Sequence, residues 1–183
     1  SPTLSNLALA NNLTLTQSSR VLMEGVTSFM HVAGGPSNTF IGANAGNFSQ
    51  TGTGNTALGA NSLKFNTTGN ANTAIGSFAL VSNTTGDSNI AAGYGALANN
   101  TTGAYNVALG RESLGSNTTG VNNIGIGGVA LSLNATGSRN IAIGTEALNV
   151  NSTGNRNTAT GTGALAGNTT GSDNTASGER ALE

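Results

Sequence analysis

The chain has 183 residues and a mass of 17.9 kDa, with 28 glycines, no cysteine, 7% charged and 4% aromatic residues, and a formal net charge of −1. That balance leaves no basic footprint for nucleic acid and no polybasic patch for a membrane surface. Without cysteine, disulfides, thiolate metal sites and thiol nucleophiles are excluded together, and no apolar run approaches the ~20 residues of a membrane span.

No charged start followed by an apolar core marks a signal peptide. Ser1 is not Met and the chain stops inside a repeat at Glu183, which reads as a processed product or a piece of something longer. Residues 1–37 stand apart as an N-terminal β cap or lead-in. Leu7-Ala8-Leu9 and Leu13-Thr14-Leu15 alternate at period two and predict strands. Val21-Leu22-Met23 and Phe29-Met30-His31-Val32 predict two more, separated by Glu24-Gly25. His31 is the only histidine, and its nearest charged residues in sequence are Glu24 and Arg20. It is expected as a packed cap residue rather than a catalytic or metal-binding one.

From Asn38 onward one sentence of 17 residues is repeated without insertion or deletion, giving a domain at 38–183 of eight full copies and a truncated ninth. Slot one is always Asn (38, 55, 72, 89, 106, 123, 140, 157, 174), slot five is always Gly, and so is slot fifteen. Slot nine is Leu in every copy after the first, and slots twelve to fourteen read Asn-Thr-Thr with small departures. Slots two to four (Thr56-Ala57-Leu58, Val107-Ala108-Leu109, Ile141-Ala142-Ile143) predict a short strand. Its small middle residue points to one face and its branched outer pair to the other. Two fixed glycines per repeat oppose a helix. Both are expected to supply the positive φ that corners need, and Asn-Thr-Thr-Gly is turn chemistry.

An unbroken period of this length predicts an all-β parallel solenoid, one 17-residue coil per repeat. Eight coils at the strand spacing make a rod of about 38 Å. Identical slots then stack into ladders. The structural positions expected to carry the stack are Asn55, Asn72, Asn89 and Asn106; Gly59, Gly76 and Gly93; and Leu63, Leu80 and Leu97. A Thr ladder is expected at slot fourteen. Each coil offers about two large aliphatics, too little burial to offset the ordering of 17 residues comfortably. Slots two and four meeting those of other chains would supply the remainder, so an oligomer is expected.

All charges after residue 37 fall in slots six, seven, ten, sixteen and seventeen, which also hold Phe78, Tyr94 and Tyr105; these slots should form the outer surface. Tyr94, Tyr105, Arg111, Arg139 and Arg156 are therefore the candidate surface contacts. Arg139, Arg156 and Asp173 should stack as a charge-balanced ladder. Glu112 and Glu146 share a slot two coils apart and are expected to be solvated charges rather than a catalytic pair. Gly125-Ile126-Gly127-Gly128 lacks the lysine of a P-loop and falls in register with the other coils. With only Asp87 and Asp173 in the array, the acidic repeat of a calcium roll is absent. Asn-x-Ser/Thr stands at Asn47, Asn66, Asn83, Asn100, Asn117, Asn134, Asn151 and Asn168, and is read as turn chemistry rather than a glycan ladder. No catalytic residue, cofactor or metal site is expected.

Asn106-Val107-Ala108-Leu109-Gly110 and Asn140-Ile141-Ala142-Ile143-Gly144 resemble the strand motif of trimeric autotransporter adhesin heads. The full repeat, with Phe29-Met30-His31-Val32 leading into Asn38-Thr39-Phe40-Ile41-Gly42, is similar to the head repeats of bacterial and viral proteins called tail-fibre-like. The autotransporter repeat is shorter, so Asn-Thr-Thr-Gly here would be an added outer turn. The resemblance covers about residues 29–183. It implies left-handed parallel β-rolls packed as a homotrimer in an extracellular fibre on a cell or virion, with a cell-surface glycan or protein as receptor. The resulting expectation is a non-catalytic rod-like segment of an attachment fibre. The alternatives are a self-assembling extracellular filament stacked end to end and an ice-binding solenoid. A pectin-lyase-like enzyme would need clustered acids and bases that the sequence lacks.

Overall fold

A computed structural model describes residues 21–24, 27–31 and 37–183. The strands expected at 7–9 and 13–15 lie outside the described residues. Among the described residues, eleven strands form one sheet in sequence order. They are β1 (Val21–Glu24), β2 (Thr27–His31), β3 (Thr39–Ile41), β4 (Thr56–Leu58), β5 (Thr73–Ile75), β6 (Ile90–Ala92), β7 (Val107–Leu109), β8 (Ile124–Ile126), β9 (Ile141–Ile143), β10 (Thr158–Thr160) and β11 (Thr175–Ser177). β1 and β2 pair antiparallel, and β2 lies antiparallel along β3, with Met30 opposite Ile41 and His31 opposite Phe40. From β3 to β11 every pairing is parallel and joins equivalent slots, as Ala57 with Ala74 and Ala74 with Ala91. The protein is thus a parallel β-solenoid with one 17-residue coil per repeat, and no helix occurs among the described residues.

The core follows from the slot pattern. Slot three of each strand from β3 on is buried, and slots eight and nine are buried in every full coil: Ala74, Ala79 and Leu80 in one coil, Ala142, Ala147 and Leu148 in another, all at 0% exposure. The interior of a full coil after the first therefore holds one large aliphatic, not two. The branched residues of slots two and four lie outside it, on the outer face of the sheet.

The two invariant glycines act differently, which corrects the expectation that both supply positive φ. Slot five does: Gly59 to Gly178 have φ between 118° and 140°. Slot fifteen does not. Its glycines are required because the next coil leaves no room for a side chain. A Cβ on Gly69 would sit 2.5 Å from Asn66 Oδ1 and would also strike Gly86 O.

The coil turns instead through left-handed residues that few would assign from sequence. All eight slot-nine leucines have φ between 49° and 55°, and slots seven and seventeen are also left-handed. Alternating backbone sign lets this non-strand segment bond to both neighbouring coils. Phe78 N–H donates back to Ala60 O at 3.0 Å, while Leu80 N–H donates forward to Ala96 O at 3.0 Å. In the seven copies from Leu63 to Leu165, burial of the leucine offsets the roughly 1–2 kcal/mol that the left-handed conformation costs.

Two departures from the consensus are compensated by a neighbouring one. Phe40 replaces Ala at slot three of the first coil, and Gly46 replaces Leu at slot nine; a Cβ on Gly46 would lie 2.6 Å from the Phe40 ring. Gly125 replaces Ala at slot three of the sixth coil, beside Ser113 at slot eight of the fifth. Ser113 Oγ donates to Gly125 O at 2.9 Å, and a Cβ on Gly125 would approach Oγ to 2.5 Å. Gly125→Ala alone is expected to destabilise by about 1–3 kcal/mol through overpacking. Gly125→Ala with Ser113→Ala restores the consensus pair and should recover most of that loss in urea unfolding. Additive effects would show that the two residues are not coupled.

Candidate functional site

Two buried asparagine ladders run the length of the rod, and they are what the sequence spends its invariance on. In the slot-one ladder, Asn89 Nδ2 donates to Gly103 O at 2.9 Å and to Asn72 Oδ1 at 3.1 Å, while its own Oδ1 accepts Asn106 N–H at 3.0 Å. The second ladder occupies slot twelve, read from sequence only as turn chemistry. Asn100 Nδ2 donates to Asn83 Oδ1 at 2.8 Å and to Gly103 O at 2.9 Å. From the second coil on, each slot-fifteen carbonyl thus receives both asparagines of its coil and ties the coil shut. The signal was present, since slot twelve is Asn at every step from 66 to 168. Asn66, Asn83, Asn100, Asn117, Asn134 and Asn151 are fully buried, so these Asn-x-Ser/Thr sites are closed to a glycosyltransferase in the folded rod. In the first coil Gln50 stands in for the missing rung, its Oε1 accepting from Asn66 Nδ2 at 2.6 Å.

The hydroxyl ladder is at slot thirteen rather than slot fourteen, a second correction. Thr84 Oγ1 donates to Thr101 O, and Thr101 Oγ1 to Thr118 O, each at 3.0 Å. Slot fourteen, Thr in all eight copies, is solvent-exposed throughout.

Three surfaces result. The first is the outer face of the sheet, where Leu58, Ile75, Ile90, Leu109 and Ile143 are between 37% and 47% exposed. Ile41, Val107, Ile124, Ile126 and Ile141 lie half-buried among them. The second is the left-handed zigzag of slots six to eleven. It carries Tyr94 and Arg111 and a cleft of about 400 Å³ between the third and sixth coils. The third is the edge at slots sixteen and seventeen, which carries Tyr105, Arg139 and Arg156. The candidate contact residues are therefore exposed as expected but split between two faces.

Charges pair locally. Arg111 meets Glu112 at 3.1 Å. Arg156 donates to both carboxylate oxygens of Asp173 on the next coil, at 2.5 and 2.7 Å; Arg139 has no ion pair among the described residues. The hydrogen bond from Arg156 holds the Asp173 carboxyl below its ordinary range. Its contribution to stability is therefore present at neutral pH and lost only as pH falls through that lowered value. The solvent exposure of both side chains keeps it small. Glu112, bound to Arg111, lines the cleft.

Comparison of the chain with protein-family models, with curated proteins and with solved structures returns no match.

Proposed function

We propose that this chain is a rod-like segment of an extracellular homotrimeric attachment fibre, with the outer face of the sheet turned toward the shared axis. The observation that carries this reading is the aliphatic stripe of slots two and four. Its slot-four row runs from Ile41 to Ile143 with Ala92 as the one interruption; its slot-two row is threonine at 39, 56 and 73 and aliphatic from Ile90 to Ile141; both rows give way to Thr158, Thr160, Thr175 and Ser177 at β10 and β11. Contiguous exposed apolar surface of this kind marks an association site. The need is acute here, because each full coil after the first buries only one leucine as a large aliphatic side chain. The resemblance to tail-fibre-like and autotransporter heads supports a trimer and an attachment role. Coverage of this face leaves the zigzag face and the slot-seventeen edge to meet a receptor.

Light scattering without denaturant should give about 54 kDa, three times the 17.9 kDa of one chain. Leu109→Asp with Ile126→Asp, both on the outer face, should move the mass toward one chain while the coil fold persists. A wild-type mass near 17.9 kDa overturns the trimer.

The exposed slot-fourteen threonines favour one second reading, an ice-binding surface. Thermal hysteresis lost on Thr→Ser substitution along that row would support it in place of the fibre.

A further inference from the structure

We propose that the cleft on the zigzag face binds one or two rings of a neutral hexose-containing glycan. This deepens the attachment reading by naming the receptor class and rests on that reading for its biological purpose, although the cleft itself is built within one chain.

The site is an exception inside a regular array. Aromatic residues occupy slots six and seven only at Tyr94 and Phe78, on adjacent coils, and their rings meet edge to face with centroids 5.8 Å apart at 69°. Between them and the next coils the floor is cut back to Gly95, Ala98 and Gly115. Bulky walls over a floor of small residues make a concavity that the consensus copies would not have. At about 400 Å³ it lies near the small end of ligand sites, which run from about 300 to 1,000 Å³.

Its chemistry is that of a sugar site. A pyranose has an apolar C–H face and a rim of hydroxyls. A ring such as Tyr94 can take the face, with Phe78 standing as the side wall. The rim groups are polar and disengaged: the Asn99 side-chain amide and the Ser116 and Tyr94 hydroxyls make no hydrogen bond among the described residues. Amide and hydroxyl groups supply both donors and acceptors, as sugar hydroxyls require. The preference for a neutral glycan follows from charge. Glu112 is the only ionisable carboxylate lining the cleft, and Arg111 already neutralises it at 3.1 Å. Neither an acidic nor a cationic ligand finds an unpaired counter-charge there.

The test uses the full chain with lactose, maltose, cellobiose and diacetylchitobiose as probes in saturation-transfer NMR and titration calorimetry. A printed array of neutral, sialylated and sulfated oligosaccharides extends the range. Tyr94→Ser and Phe78→Asn place residues that the same slots hold elsewhere, Ser77 and Asn61, and asparagine tolerates the φ of 61° at position 78. Both variants should therefore fold. Each should weaken binding by about tenfold or more, while Tyr105→Ser, on the other face, should not change it.

Binding of no probe at about 10 mM, binding confined to acidic glycans, or binding unaffected by Tyr94→Ser and Phe78→Asn each overturns the proposal. Solution mass separates the two readings. A trimer that binds no glycan removes the cleft proposal alone, and a monomer that binds through Tyr94 removes the trimer alone.

Discussion

Gly110→Ala is expected to unfold the array locally or to cost about 4 kcal/mol or more. Gly110 has a φ of 135°, a conformation that side-chain-bearing residues rarely adopt. A Cβ there would lie 2.5 Å from Gly127 O and 2.7 Å from Gly127 C. Those atoms are backbone of the next coil, which is itself pinned because Gly127 N–H donates to Leu109 O at 2.8 Å. Relief would require the coils to separate, and that breaks bonds at every other slot. Gly128→Ala, in the neighbouring coil, is the internal control. A Cβ at 128 meets nothing within 4 Å and its φ is not left-handed. That change should be neutral or stabilise by about 0.4–1 kcal/mol through the unfolded state. Urea unfolding of both variants decides the point, and equal losses would show that close coil stacking is not what fixes slot five.

The second large effect belongs to the ladder. Asn89→Ala removes the donor to Gly103 O and the acceptor of Asn106 N–H, at a position with 0% exposure. Gly103 O retains Asn100 as a partner, but the Asn106 N–H is left buried and unpaired. One orphaned donor, lost bonds and a small void together make about 3–5 kcal/mol. Asn89→Asp tests the same site by charge. A buried carboxylate with no cation beside it has its pKa raised. The variant should then be closest to wild type in acid and lose stability as pH rises past the unfolded carboxylate value. A ladder of little energetic weight would show itself as an Asn89→Ala loss below about 1 kcal/mol. An Asn89→Asp loss independent of pH would show that the position is hydrated.

These effects show how unevenly the fold could be read. The period is explicit in the chain, and an unbroken 17-residue repeat with two fixed glycines admits little besides a stacked coil. The strands at slots two to four, the inward Ala at slot three and the outward branched pair follow from alternation alone. The burial of the slot-twelve asparagines is not legible in sequence, because Asn-Thr-Thr-Gly has the composition of an exposed turn. Their burial depends on the carbonyl of slot fifteen facing inward, which no local pattern announces. The left-handed leucines were illegible for a similar reason. Leucine has no intrinsic preference for that conformation, and only the hydrogen bonds to coils on either side impose it.

The candidate contacts divide in the same way. Composition by slot showed that Tyr94, Tyr105, Arg111, Arg139 and Arg156 would be outside. It did not show that Tyr94 joins Phe78 over a cleft, that Arg156 is engaged by Asp173, or that Tyr105 faces another edge. Those are distances between coils, set by how the chain turns at slots seven, nine and seventeen.

By itself, then, the sequence determined the repeat length, the solenoid class, the parallel register and which slots are invariant, since each is a periodic property and a period survives any uncertainty in the path between its marks. The tertiary structure decided what each invariant residue is for. A glycine kept for its φ and a glycine kept for lack of space are the same letter, and only the neighbouring coil, 17 residues away, distinguishes them.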